Sequence, residues 1–202
     1  MKQKEHIIWK TEPSIYETLL LTLSIFTIFI SFVSIFDDYF AQIHVRGENP
    51  HFVMVAESLL KNDFESIQFL YIKRIFLGFP LAIILVSILP FFDFFLALIV
   101  LSISCSLITH YYCHRLWGGW VACAFVILNL DWIQRSIIGG NEPLFMALLL
   151  GGFYAYRKNR CFLALVLAAL STIVRPFGLL ALMAFGMDLL LRKEYRSFFI
   201  SF

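Results

Sequence analysis

A chain of 202 residues that is 60% hydrophobic, 17% aromatic and only 15% charged falls outside the composition of soluble domains and belongs in lipid. A net charge of +2, with the basic residues scattered between apolar runs, excludes a nucleic-acid-binding surface, so no nucleic-acid partner is expected. Cys105, Cys113, Cys123 and Cys161 have no C-x-x-C spacing, which excludes a zinc ribbon or thiol redox centre and leaves them as small apolar residues.

Lys2, Lys4 and Lys10 precede an uncharged run from Leu19 to Phe36, too long for a signal-peptide core and without a small-residue cleavage site, and so predicted to be an uncleaved signal anchor. Residues 37–90 then form a long outer loop whose polar residues include Asp37, Asp38, His44, Arg46, Glu48, His51, Glu57, Lys73 and Arg74. Within it Phe52, Val55, Ala56, Leu59 and Leu60 recur at helical spacing, which predicts a short amphipathic helix lying on the membrane surface. Ile75 to Leu89, interrupted by Pro80 and closed by Pro90, is apolar enough to span or to dip back. Loop charge decides for the dip. A re-entrant segment places Lys2, Lys4, Lys10, Arg115, Arg157, Lys158, Arg160, Arg192, Lys193 and Arg196 on the cytoplasmic side, as the positive-inside rule requires.

Five further spans are predicted within residues 94–191: Phe94 to Tyr112, Trp117 to Ile133, Pro143 to Tyr156, Cys161 to Val174 and Phe177 to Leu191, several of them shorter than the ~20 residues a straight span needs. The expected fold is therefore all-α: one polytopic transmembrane helical bundle over residues 1–202, with six spans, a re-entrant segment and both ends cytoplasmic. The localisation is integral to the membrane and multi-pass, in the cell membrane if the source is prokaryotic. His110, Cys113 and His114 share a helix face but are read as an interfacial rim with Tyr111, Tyr112 and Trp117, not as a metal cluster.

Polar residues gather on the outer face: Asp131, Gln134, Arg135, Asn141 and Glu142 between two spans, and Arg175 before Pro176 between two others. An ionisable residue near the bilayer is costly unless paired or facing water, so Glu142 and Arg175 are functional candidates; the plainer alternative is that they only bridge each other. No G-x-S-x-G, Walker A or H-E-x-x-H pattern is present.

Three stretches carry a resemblance: Gly47-Glu48-Asn49-Pro50-His51-Phe52 with the following Val-Ala-Glu-Ser-Leu, Tyr71-Ile72-Lys73-Arg74 leading to Pro80, and Gly140-Asn141-Glu142-Pro143-Leu144-Phe145 through Arg175-Pro176-Phe177-Gly178. Their order resembles the GT-C superfamily of membrane glycosyltransferases. The resemblance implies transfer of a sugar from a polyprenyl-phosphate carrier to a glycan, lipid or protein acceptor on the non-cytoplasmic face, with inversion. It implies a first-loop carboxylate as base, from Asp37, Asp38 or Glu48. It gives Lys73, Arg74 and Arg175 the donor phosphate, and His51 and Glu142 the substrate. No cofactor is assigned; a divalent cation at Asp37 and Asp38 is the one candidate, although adjacent helical residues point apart. Members commonly carry Asp followed by Tyr in the first loop, whereas this chain has Glu48 before Phe52, which leaves the base open among the three acids. Members also have more spans, and the expectation is an N-terminal fragment or a reduced member. Two rivals stand beside this one, a polytopic transporter or lipid flippase and a non-catalytic membrane subunit.

Overall fold

Backbone amides in lipid must bond within their own segment, which leaves the helix as the economical state for apolar runs. The computed structural model describes residues 12–36, 49–63, 76–89 and 92–191, and these are helical with no strand among them. The helices are α1 (Ile15–Phe36), α2 (Asn49–Lys61), α3 (Gly78–Ser87), α4 (Phe94–Trp117), α5 (Gly119–Leu128), α6 (Leu130–Ile138), α7 (Glu142–Arg157), α8 (Cys161–Val174) and α9 (Gly178–Leu191). Two of them, α1 over Ile15–Ile35 and α4, are long and apolar enough to cross a membrane; α5 and α6 add a third crossing if the bent pair is one span. Their exteriors suit lipid: Leu20, Ile28, Phe32 and Ile35 of α1 and Ile108 of α4 are exposed.

Local sequence sets the helix starts. Ser14 and Glu17 form a capping box on α1, with Ser14 N donating to Glu17 Oε2 at 2.7 Å and Glu17 N to Ser14 Oγ at 3.3 Å. Asp93 caps α4 by accepting from Leu96 N at 2.7 Å. The single run predicted from Trp117 to Ile133 is broken instead. Asn129 takes a non-helical conformation, accepts from Trp132 N at 3.0 Å and so starts a new helix, and α6 leaves α5 at 79°.

α2 forms where the spacing predicts it, but its apolar stripe faces protein, not a membrane surface. Phe52, Val53, Val55 and Ala56 are buried in one core with Phe79 and Ile83 of α3 and Leu98 of α4, and Phe52 meets Phe79 edge-on with ring centroids 5.0 Å apart. Leu60, of the same predicted stripe, is exposed. α3 has 10 residues and so a length of about 15 Å, half a hydrocarbon layer. α7 packs against α4 and α8, and α8 against α9. Small residues permit that closeness: Gly151, Gly152 and Ala155 of α7 and Ala164 and Ala168 of α8 are all buried.

His110 is a correction to the expected interfacial rim. It is 1% exposed, with Nδ1 3.3 Å from Thr22 Oγ1 of α1, and lies inside the bundle. Helical spacing puts His110 and His114 on one face without saying which way that face turns. His114 is the outer of the two, its Nε2 donating to Pro13 O at 3.0 Å.

Candidate functional site

The turn between α6 and α7 is built by Gly139 and Gly140. Gly139 has φ 105°, a conformation that side chains rarely adopt, and a Cβ there would also run into the Leu98 side chain and lie 3.3 Å from Asn49 Nδ2. The turn is then pinned from two sides. Asn49 Nδ2 at the start of α2 donates to Ile138 O at 2.9 Å, and Ser102 Oγ of α4 lies 3.2 Å from Gly140 O and 3.3 Å from Gly140 N. A further polar contact ties α6 to α4: Trp132 Nε1 donates to Ser106 Oγ at 3.0 Å. These bonds fix where Asn141 and Glu142 emerge at the head of α7.

Arg175 reaches the same place from the other side. Pro176 disfavours helical backbone at the residue before it, and Arg175 is extended at φ −149° and ψ 139°, ending α8. Its side chain crosses to α7. Nε and Nη2 donate to Asn141 Oδ1 at 3.0 and 2.7 Å, and Nη2 also donates to Glu142 Oε1. Arg135 of α6 completes the cluster, donating from Nη1 to the same Glu142 oxygen at 2.5 Å and from Nε to Asp131 Oδ2 at 2.8 Å. One carboxylate oxygen thus receives two guanidinium groups from elements far apart in sequence. The Glu142 side chain is only 15% exposed and is met there by those donors, whereas Asp131 at 71% is largely hydrated.

The cluster borders an open cavity of about 420 Å³, which Asn49 and Phe52 of α2 and Gln134 of α6 also line. That volume is within the range of small-molecule sites, and the wall is polar with one aromatic face. Among the described residues no group of three or more His, Cys, Asp or Glu side chains is arranged to hold a metal ion.

Of the residues singled out in the sequence, Glu142 and Arg175 are in direct contact at this cavity. Their bond is the mutual bridge of the plainer alternative, yet it sits in a hollow and takes in two further residues. His51 is half-buried on α2 and does not line the cavity. Asp37, Asp38, Glu48, Lys73 and Arg74 lie outside the described residues. Sequence reasoning assigned no role to Arg135, Asn141 or Asn49. Asn141 carried a signal, standing immediately before Glu142 and Pro143 at a helix start. Asn49 carried none, because its partner is a backbone carbonyl 89 residues away.

Comparison with protein-family models, curated proteins and solved structures finds no match to this chain.

Proposed function

We propose that this chain is a multi-pass membrane glycosyltransferase of GT-C type, moving a sugar from a polyprenyl-phosphate donor to an acceptor at the non-cytoplasmic face. The topology that goes with this reading has six spans, α3 in the re-entrant segment and the Glu142 end of α7 outward. The observation that carries it is the meeting of Arg135 and Arg175 on Glu142 at the edge of an open cavity. Phosphate recognition needs preorganised guanidinium groups in a partly dehydrated place. Each arginine uses two nitrogens in the cluster, and among the described residues Nη1 of Arg175 and Nη2 of Arg135 are left to donate to phosphate oxygens.

In this mechanism Asp37, Asp38 or Glu48 takes the proton of the acceptor hydroxyl as its oxygen attacks the anomeric carbon from the face opposite the leaving group. The bond from that carbon to the phosphate oxygen breaks, and the polyprenyl phosphate departs with both electrons, its charge held by Arg175 with Lys73 and Arg74. Glu142 keeps the arginines in place and orients the sugar. The test is sugar transfer from labelled polyprenyl-phosphate donors in proteoliposomes by the wild type and by Asp37→Asn, Asp38→Asn and Glu48→Gln singly. One of the three should lose at least about a hundred-fold. Full transfer by all three would sink the mechanism.

One observation favours a transporter or lipid flippase instead. Transporter sites form where helices break, and the α5–α6 break at Asn129 precedes a helix that lines the cavity. Movement of labelled carrier lipid across sealed vesicles without sugar transfer would select that reading.

A further inference from the structure

The other end of α7 carries a second cavity, of about 430 Å³. Glu142 and Arg157 are separated along the helix by about 22 Å, so the two cavities belong to opposite ends of the bundle. This one has two halves. Gly151 and Ala155 of α7 with Leu163 and Leu167 of α8 make an apolar groove; Tyr112, Tyr154, Lys158 and Arg160 make its mouth. Gly151 lets Tyr112 and Leu167 pack close along this wall: a Cβ there would lie 3.1 Å from Tyr112 Cε2 and 3.4 Å from Leu167 Cδ1.

The mouth concentrates positive charge around one ring. Arg115 lies over Tyr154 at 5.9 Å from the centroid and donates from Nη2 to its hydroxyl at 3.4 Å, while Lys158 Nζ stands 5.8 Å from the same centroid. Among the described residues none of Arg115, Lys158 and Arg160 has a carboxylate partner within salt-bridge distance. Two acids of the α1 start are otherwise engaged: Glu12 Oε1 accepts from Gly119 N at 2.8 Å, and Glu17 is in the α1 capping box. The depth of the mouth is set by α4. That helix crosses from Phe94 and ends at Trp117, and Trp117 and Trp120 stand exposed beside Arg115, where indole rings mark the headgroup layer.

We propose that this cavity binds an anionic membrane phospholipid, its headgroup phosphate held by Lys158 and Arg160 at the mouth, with Arg115 adding positive field from beside Tyr154, and an acyl chain lying in the Gly151–Leu167 groove. The groove argues for a lipid because a soluble phosphate would leave it empty. The unneutralised cations argue for a net negative headgroup over a zwitterionic one. The site is independent of the glycosyltransferase reading.

Native mass spectrometry of the detergent-solubilised full chain tests it, with dioctanoyl phosphatidylglycerol as probe, dioctanoyl phosphatidylcholine as the zwitterionic arm and excess inorganic phosphate as competitor. One phosphatidylglycerol should be retained at least about ten-fold more tightly than phosphatidylcholine, and excess phosphate should not displace it. Lys158→Gln with Arg160→Gln should weaken retention about thirty-fold. Arg157→Gln is the control, because Arg157 is exposed nearby, donates to Leu116 O at 2.8 Å and does not line the cavity. It should change retention by no more than about two-fold. Leu163→Gln, which alters the groove without touching charge, should also weaken it. Equal retention of the two lipids, displacement by phosphate, or an Arg157→Gln effect matching that of the double variant would overturn the proposal.

Discussion

The two ends of α7 use arginine in opposite ways. At the Glu142 end, Arg135 and Arg175 are matched by Asp131 and Glu142, and every contact among them runs between different turns or helices. At the Arg157 end, Arg115, Lys158 and Arg160 gather around tyrosine with no carboxylate partner among the described residues. A compensated cluster holds its own geometry and waits for a ligand to enter it. An uncompensated one obtains its counter-charge from outside. The helix dipole fits the second case, since the negative C-terminal end of α7 lies among the cations.

The contrast can be broken in graded steps. Arg175→Gln should have the largest effect, lowering sugar transfer by about a hundred-fold, the usual loss when one preorganised donor to a leaving group is removed. Initial rates in proteoliposomes check it. Glu142→Gln should come next on stability, because it takes the charge from an oxygen that two guanidinium groups share; the expected loss is about 1–3 kcal/mol, read as a lowered Tm in detergent. Gly139→Ala should be comparable, at about 1–3 kcal/mol for a side chain at a positive φ with extended ψ, with Leu98 displaced. Arg115→Gln should leave the Tm unmoved, since that side chain is exposed and its contacts are with one tyrosine. The smallest difference is in salt. Raising ionic strength should weaken anionic-lipid retention at the open cluster and barely shift the Tm contributed by the compensated one.

Sidedness sharpens the same comparison. In a background without Cys105, Cys113, Cys123 and Cys161, single cysteines at Asp131 and Asn159 should label from opposite faces of sealed vesicles. Labelling from one face would remove the proposed topology.

Much of this was legible in the chain. The spacing of Phe52, Val55 and Ala56 gave α2, Phe94 gave the start of α4, whose end lies at Trp117 and not at the predicted Tyr112, and Cys161 with the Arg175-Pro176 break gave both bounds of α8. The Glu142 cluster was visible as polar residues stranded between apolar runs. Partner choice was not. Nothing local in Arg135 says that Glu142, seven residues on and across a glycine turn, will take its charge. The break at Asn129 was hidden by apolar residues on either side, so hydropathy merged two helices into one run. The burial of Phe52 and His110 depended on which neighbour packs over them, which no periodicity encodes.

On the proposed function, the Glu142–Arg175 contact serves a binding site and is not only a strut between α7 and α8. Charge reversal separates the two: sugar transfer and Tm are measured for Glu142→Arg, Arg175→Glu and the double variant. The double variant should recover Tm relative to either single change while transfer stays down by about a hundred-fold, because the cation no longer stands at the end of α8. Recovery of wild-type transfer by the double variant would contradict it.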